Sequence, residues 1–334
     1  MKAIQVHEFG SPETVIKLEE IPNPQPNETQ VKVKVRAAGL NPADVIAITG
    51  NFQITPVLPL IPGFEAAGEI IELGRKVSEF QVGDKVLVAL PYSTPDGVRF
   101  GAMAEELVAP AANIVKMPDN LDFACAAKAC VAYGTAYISL QHCGRLKSGE
   151  TLLINGGTGS VGSAGVEVGK RLGAKVIATA GGAEKCQKVT SRGADYAIDY
   201  KSEDIAQRVL ELTDGKGADV ILDTVGGDAF DASLNCINFE GRILAVGAAS
   251  GKIPTVNILD LLSRNCSVIG VDFAAYTLKD TATVKQALTE LMTWYSEGAI
   301  KPEKPNAVNL EQAAKALGKI EKGSANGKFA LVMD

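Results

Sequence analysis

A glycine-rich segment offers the most specific chemistry in this sequence. Residues 157–162 are Gly-Thr-Gly-Ser-Val-Gly, a GxGxxG pattern in which glycines allow a tight turn and a close approach of backbone to a diphosphate. A strand-like stretch, Leu152 to Asn155, precedes the turn, and apolar residues at helical spacing follow it. Such a helix start carries unpaired N–H groups and partial positive charge, which bind phosphate oxygens. The segment therefore predicts a dinucleotide site at Gly157, Gly159, Ser160, Val161 and Gly162.

The end of the next predicted strand favours NADPH over NADH. NAD sites usually place an Asp or Glu ~20 residues beyond the glycines, where it holds the ribose 2′-hydroxyl. Residues 177–182 contain no acid; Gly181 leaves room for a 2′-phosphate, and Lys185 can supply the charge. The carboxylate of Glu184 would repel a 2′-phosphate and so argues against NADPH, unless this side chain points away at the start of the next helix. Lys185 is alternatively an ordinary solvated helix residue.

Residue types exclude several other chemistries. His7 and His142 are the only histidines, which excludes sites built on several imidazoles. The six cysteines include no CxxC pair, which excludes zinc-ribbon and thioredoxin-like sites. Lys and Arg number 33 against 39 acidic residues, a net charge of −6 without a basic cluster, so we expect no nucleic-acid partner.

Neither export nor membrane insertion is predicted. The first residues lack the 7–15-residue apolar stretch of a signal peptide. Val45 to Phe64 is a run of 20 uncharged residues, but its three prolines make a membrane-spanning helix implausible. Together with cysteines that need not pair, this predicts a cytoplasmic protein with no membrane partner.

Two kinds of periodicity divide the chain. Short strands at 31–36, 66–73 and 85–90, separated by Gly and Pro turns, predict a barrel-like β-rich region. A helix-prone stretch at 121–140 is followed by six apolar stretches that begin at residues 151, 175, 196, 219, 242 and 267. Helical patterns lie between them, so this region predicts a doubly wound parallel sheet.

The domain assignment follows from that division. We expect a nucleotide-binding domain at 121–273. The last residues, 274–334, contain helical patterns near 284–297 and 310–322 and a strand near 328–332. Because so short a segment would be poorly stable alone, we expect it to complete the first domain, residues 1–120.

The whole chain resembles a known superfamily. The segments that carry the resemblance are AGLNPAD at 38–44, PGFEAAG at 62–68, VGDKV at 82–86, YGTA at 133–136 and DTVGG at 223–227. With the glycine turn, they are similar to the medium-chain dehydrogenases/reductases, and within these to the zinc-free quinone oxidoreductase (zeta-crystallin-like) branch. The resemblance implies an α/β fold with a Rossmann doubly wound parallel sheet that binds NADPH, plus a GroES-like β-rich catalytic domain.

The resemblance also implies hydride chemistry without a metal. Zinc-dependent relatives carry Cys where this chain has Asn41, and His where it has Phe64, so two of the three protein ligands are missing. An acceptor that becomes anionic on taking hydride needs a hydrogen-bond donor, and the Asn41 amide fits that need. The alternative is that Asn41 is only a turn residue before Pro42. Thr135 looks like the residue that contacts the nicotinamide end of the cofactor.

Further site residues are implied by the resemblance alone. Besides Gly181 and Lys185, the implied cofactor residues are Tyr200, Gly247, Ala248, Phe273 and Lys328. The implied acceptor pocket, which Asp272 also borders, contains Asp44, Ile46, Phe52, Tyr92 and Val271. Ile46 and Phe52 stand where several quinone reductases carry tyrosines. The pocket is therefore more apolar, which raises the odds of a conjugated enone or enoyl substrate.

The leading hypothesis is an NADPH-dependent reductase of quinones or activated alkenes, the latter being α,β-unsaturated carbonyl compounds. One alternative is an enoyl-thioester or haloacrylate-type reductase. Another, of a different class, is an NADPH-binding structural or sensor protein with little catalysis. The implied partners are a small electrophilic acceptor and a second copy of the chain. In the family, the dimer pairs the strand that corresponds to Ser267–Phe273 across a two-fold axis.

Overall fold

Residues 1–52, 55–90 and 101–333 are described by the computed structural model. The chain divides into unit 1, Met1–Val131 with Ala274–Asp334, and unit 2, Ala132–Phe273. Tyr92, expected in the acceptor pocket, lies outside the described residues.

The strands and helices are as follows. The strands are β1 (Lys2–Val6), β2 (Ile16–Glu20), β3 (Gln30–Leu40), β4 (Glu65–Leu73), β5 (Lys85–Ala89), β6 (Glu106–Pro110), β7 (Ile114–Lys116), β8 (Thr151–Asn155), β9 (Lys175–Ala180), β10 (Tyr196–Asp199), β11 (Ala218–Asp223), β12 (Ile237–Ala245), β13 (Ser267–Gly270), β14 (Asn306–Val308) and β15 (Phe329–Val332). The α-helices are α1 (Pro12–Val15), α2 (Pro42–Ile48), α3 (Phe123–Tyr137), α4 (Ser160–Arg171), α5 (Ala183–Ser191), α6 (Ile205–Leu212), α7 (Gly227–Cys236), α8 (Ile258–Arg264), α9 (Phe273–Lys279), α10 (Thr281–Ser296) and α11 (Ala313–Glu321).

Unit 2 contains the predicted parallel sheet. Its strand order is β10-β9-β8-β11-β12-β13, and every described pairing is parallel. The core below the sheet includes Leu153, Ile177 and Ile221, one residue from each of three neighbouring strands. Strands with near-continuous apolar sequence, alternating with helices, confirm the Rossmann doubly wound α/β class.

One strand of unit 2 begins earlier than predicted. β12 begins at Ile237, whereas the apolar pattern predicted a start at 242. Phe239 is 66% exposed and Glu240 has a positive φ of 58°, so this part of the strand lacks a buried face. Because a pattern of burial is what periodicity detects, the irregular first half of β12 was missed.

Helix α4 packs very closely on the sheet of unit 2. A Cβ at Gly165 would lie 2.7 Å from Cδ2 of Leu222, and one at Gly169 would lie 2.5 Å from Cδ2 of Leu152. At Gly162 it would lie 2.2 Å from the carbonyl oxygen of Gly156. Gly165 and Gly169 therefore set the distance between α4 and strands β11 and β8, and Gly162 sets the distance between α4 and the turn before it.

Unit 1 is built on strand β3. The sheet order is β14-β15-β3-β4-β5-β7, with β6 also paired to β3, and β1 and β2 form a separate ribbon. Val31, Val33 and Val35 are fully buried, as their alternation with basic residues predicts. Ala38 pairs with Ala66 in the antiparallel register of β3 and β4. That register brings the end of β3 next to the start of β4, which confirms the predicted β-rich part of the fold.

Helix α3 is long and mostly apolar. It is followed by a π-helical stretch, Ile138–Cys143, and Phe123–Cys143 is long and apolar enough to cross a membrane by length and composition. However, most of this stretch is buried inside the protein, as in the core helix of a soluble protein. The boundary between the units lies within α3, after Val131, beyond the boundary expected at residue 120. The first part of α3 belongs to unit 1 because its side chains and N–H groups bond to β4.

Candidate active site

The end of β3 and the start of β4 hold a buried polar cluster in unit 1. Asn41, the first residue after β3, donates its side-chain N–H to Oε1 of Glu65 at 2.6 Å. Lys128 of α3 donates to the side-chain oxygen of Asn41, and its Nζ lies 3.5 Å from Oε1 of Glu65. Asn41, Lys128 and Glu65 are 4%, 5% and 0% exposed. We call these three residues the amide cluster.

Glu65 is fixed at both carboxylate oxygens. Its Oε2 accepts the backbone N–H of Val131 at 2.6 Å. Burial raises the pKa of the Glu65 carboxyl above its usual range, while the Lys128 ammonium and the N–H groups of Val131 and Asn41 act in the opposite direction. Gly39 makes room for this carboxylate, since a Cβ at Gly39 would lie 1.9 Å from Oε1.

The other expected residues of unit 1 lie in different environments. Asp44 is fully buried and accepts the backbone N–H of Asn41 at 2.6 Å, which holds the start of α2. Ile46 is 43% exposed. Phe52 packs against Phe64, with ring centroids 5.4 Å apart. Lys328 is half-buried, and its backbone oxygen accepts the N–H of Asn306 at 2.7 Å.

The glycine turn of unit 2 has the geometry of a diphosphate cradle. Gly156, one residue before the counted motif, has a φ of 77°, so it makes the left-handed step of the turn. Gly157 is confined by Ala178 and Val189, at 2.9 and 3.0 Å from a Cβ placed on it. Gly159 is the N-cap of α4, and the first N–H groups of a helix lack intrahelical acceptors. Ser160, Val161 and Gly162 therefore present N–H groups suited to an anion.

The end of β9 meets the end of β10 at a corner formed by Gly181, Tyr200 and Lys201, which we call the basic corner. A Cβ at Gly181 would lie 2.6 Å from the Tyr200 hydroxyl and 3.2 Å from Cε of Lys201. Lys185 is exposed on α5. The nearby Asp199 carboxylate accepts the N–H groups of Gly182 and Lys201 at 2.8 and 3.1 Å, and these bonds lower its pKa.

The remaining expected residues lie elsewhere in unit 2. Thr135 is 4% exposed on α3. Ala248 lies against Gly226, where a Cβ on that glycine would be 3.3 Å from the alanine. Gly247 is exposed, whereas Val271 and Phe273 are 5% and 7% exposed.

Sequence reasoning missed Lys128 and Lys201. Lys128 had a detectable signal, since it is the sole charged residue between Phe123 and Tyr137. Its partners Asn41 and Glu65 are 87 and 63 residues away in sequence, so no local pattern could connect them. Lys201 directly follows Tyr200, and only the structure places both beside Gly181.

Family models match most of the chain. Residues 27–119 match the alcohol dehydrogenase GroES-like domain, and residues 160–293 match the model described as zinc-binding dehydrogenase. Among the described residues, no group of three or more His, Cys, Asp or Glu side chains is placed to hold a metal ion.

Proteins of known sequence and structure match the full length. A quinone oxidoreductase-like protein 2 homolog from Nematostella vectensis is 36% identical over 332 residues, which cover 99% of this chain and 88% of that protein. The crystal structure of a Pseudomonas syringae quinone oxidoreductase superposes with a TM-score of 0.90 at 32% identity, covering 99% of both chains. The Escherichia coli quinone oxidoreductase, solved in complex with NADPH, superposes with a TM-score of 0.89 at 29% identity, covering 100% of both chains.

Proposed function

This chain belongs to the zinc-free quinone oxidoreductase branch of the medium-chain dehydrogenase/reductase superfamily, and from that membership we propose that it is an NADPH-dependent reductase of small electrophilic acceptors. The acceptor is a quinone or an activated alkene, that is, an α,β-unsaturated carbonyl compound. The observation that carries the proposal is the glycine turn, where a Cβ at Gly162 would strike the Gly156 carbonyl oxygen at 2.2 Å. So close a turn places backbone N–H groups where a diphosphate binds.

The cofactor assignment rests on the basic corner. When bound, NADPH supplies the hydride, and Ser160 and Val161 hold its diphosphate through their N–H groups. Lys185, Lys201 and the Tyr200 hydroxyl are the groups suited to the 2′-phosphate. Two backbone N–H groups occupy the Asp199 carboxylate, which reduces its repulsion of that phosphate.

Asn41 supplies the donor for the acceptor. Negative charge develops on the acceptor oxygen as hydride arrives, and a preorganised N–H there stabilises the transition state. Ile46 and Phe52 carry no hydroxyl, so these positions cannot assist the reduction of a quinone as tyrosines would. Their apolar side chains favour activated alkenes, including enoyl thioesters and haloacrylates, as acceptors. Reduction of an enoyl thioester or haloacrylate is therefore the second candidate function.

The test follows the absorbance of NADPH with benzoquinone, cyclohexenone, crotonyl-CoA and chloroacrylate as acceptors. Oxidation with at least one of them is expected, and NADH should serve less well at equal concentration. NADPH binding without oxidation by any acceptor would contradict the proposal and favour a structural or sensor protein. The order of kcat/KM among the four acceptors identifies the substrate class.

We also propose a homodimer in the cytoplasm. β13 is the edge of the parallel sheet, and α8, just before it in sequence, buries none of its residues. Ile258, Leu259 and Leu262 are 71%, 63% and 71% exposed, an apolar surface that a second copy would cover. All six cysteines are free thiols, which suits a reducing compartment. A solution mass equal to one chain of 34.9 kDa would contradict the dimer.

A further inference from the structure

We propose that Lys128 is a positioning residue of the reductase: its ammonium fixes the Asn41 amide in the one orientation that leaves an N–H free for the acceptor. The inference rests on the proposed function. It concerns the amide cluster, in which Lys128 bonds to the side-chain oxygen of Asn41 and Asn41 bonds to Glu65.

The burial of Lys128 is the first observation. Its side chain is 5% exposed, and it lies in a helix that otherwise contains no charged residue between Phe123 and Tyr137. Burying an ammonium is costly even beside a carboxylate, and an apolar residue of similar size often serves stability equally well. A buried lysine here therefore indicates a task beyond holding α3 in place.

The chemistry of the partners fixes the amide. A lysine ammonium only donates hydrogen bonds, and an ionised carboxylate only accepts them. The amide of Asn41 must therefore turn its oxygen to Lys128 and its NH2 to Glu65. The reversed amide would place donor against donor at Lys128 and acceptor against acceptor at Glu65.

Of the two hydrogens on the Asn41 NH2 group, one is not used within the amide cluster. Glu65 takes the other at 2.6 Å, and the Val131 N–H, also at 2.6 Å, prevents the carboxylate from turning away. Among the residues that the structure describes, no acceptor is found for the remaining hydrogen. It is the group that the proposed mechanism directs at the acceptor oxygen.

The expected effect is on the chemical step. The acceptor gains a hydride from NADPH, which leaves as NADP⁺, and a proton from solvent completes the reduction. A fixed N–H stabilises the charge that develops on the acceptor oxygen, more in the transition state than in the bound acceptor. Loss of Lys128 should therefore lower kcat and leave KM and cofactor affinity nearly unchanged.

The experiment compares Lys128→Met with Lys32→Met. Lys32 is the matched control, because it is also a buried lysine of unit 1, paired with Glu106 at 2.9 Å and outside the amide cluster. For Lys128→Met we expect kcat with the best acceptor to fall by about 10²-fold. The dissociation constant of NADPH should stay unchanged, and Lys32→Met should keep the wild-type kcat. Lys128→Arg should recover part of the rate, since a guanidinium also only donates.

A second variant protects the test against misfolding. Lys128→Gln keeps a group that can donate to the side-chain oxygen of Asn41, while Glu65 still requires the NH2 group, so kcat should fall less than in Lys128→Met. A folded Lys128→Met or Lys128→Gln protein with wild-type kcat would overturn the inference. If the wild-type protein itself oxidises no NADPH with any acceptor, the proposed function fails instead, which is a separate result.

Discussion

Gly39→Ala tests whether the Glu65 carboxylate can occupy any position other than the one beside Gly39. A Cβ at Gly39 would lie 1.9, 2.5 and 2.7 Å from Oε1, Cδ and Cγ of Glu65. Gly39 is not among the glycines with positive φ, so alanine meets no backbone strain there. The loss of stability must therefore come from displacement of the Glu65 side chain, which is fully buried.

The magnitude follows from the contacts that would be lost. Displacement removes the bonds of Glu65 to Asn41 and Val131 and takes the carboxylate away from Lys128. Breaking a buried ion pair costs about 3–5 kcal/mol, and alanine returns about 0.4–1 kcal/mol by restricting the unfolded chain. We expect the free energy of unfolding to fall by about 2–4.6 kcal/mol, less than the total stability of a typical protein.

The assay is urea unfolding followed in two ways. Trp294, the single tryptophan, is buried in unit 1 and reports on that unit by fluorescence, while circular dichroism follows both units. Gly270→Ala is the control, because a Cβ there meets nothing within 4 Å, and its stability should change by no more than the roughly 0.4–1 kcal/mol that alanine gains by restricting the unfolded chain. If the stability change of Gly39→Ala also stays within that limit, the Glu65 carboxylate can be accommodated in another position and the reasoning is wrong.

Two further predictions concern unit 2. Lys185→Ala and Lys201→Ala should each weaken NADPH binding about two- to fivefold in calorimetric titration and leave NADH binding unchanged; an equal loss for both cofactors would place these lysines away from the 2′-phosphate. Burial raises the pKa of Glu150, but bonds from Arg242 and the Lys147 N–H outweigh this and lower it from the usual 4.5. The stability that Glu150 contributes is therefore present above that pH and is lost as pH falls below it. Glu150→Gln should thus cost about 1–3 kcal/mol at neutral pH and little in strong acid, as thermal unfolding at both pH values would reveal.

The sequence predicted the parts of the fold in which local pattern and burial agree. β8 and β9 are near-continuous apolar runs buried in the parallel sheet, and both begin at the predicted residues. α6 (Ile205–Leu212) likewise lies where a helical pattern was predicted between two of the apolar stretches. By contrast, the first half of β12 is exposed and irregular, so its pattern carried no signal.

The candidate site also contains one part that a local sequence pattern predicted and one part that it did not. The glycine turn was found because its function depends on backbone geometry that one short segment encodes. The amide cluster depends on three segments that meet only through the register of β3 with β4 and the packing of α3 on them. The lone lysine of the apolar helix α3 was missed, and its partners lie too far away in sequence for a local pattern to connect them.

The three glycines of α4 differ in whether a second substitution can compensate for their replacement by alanine. At Gly165 and Gly169 an added methyl would meet the ends of Leu222 and Leu152, so a smaller partner side chain in a second substitution can restore the fit. At Gly162 it would meet the carbonyl oxygen of Gly156, and no second side-chain replacement removes a backbone atom. Second-site substitutions should therefore restore stability to alanine variants of Gly165 and Gly169 but not to an alanine variant of Gly162. The glycine at which no such substitution can be found thus marks the cofactor-binding turn.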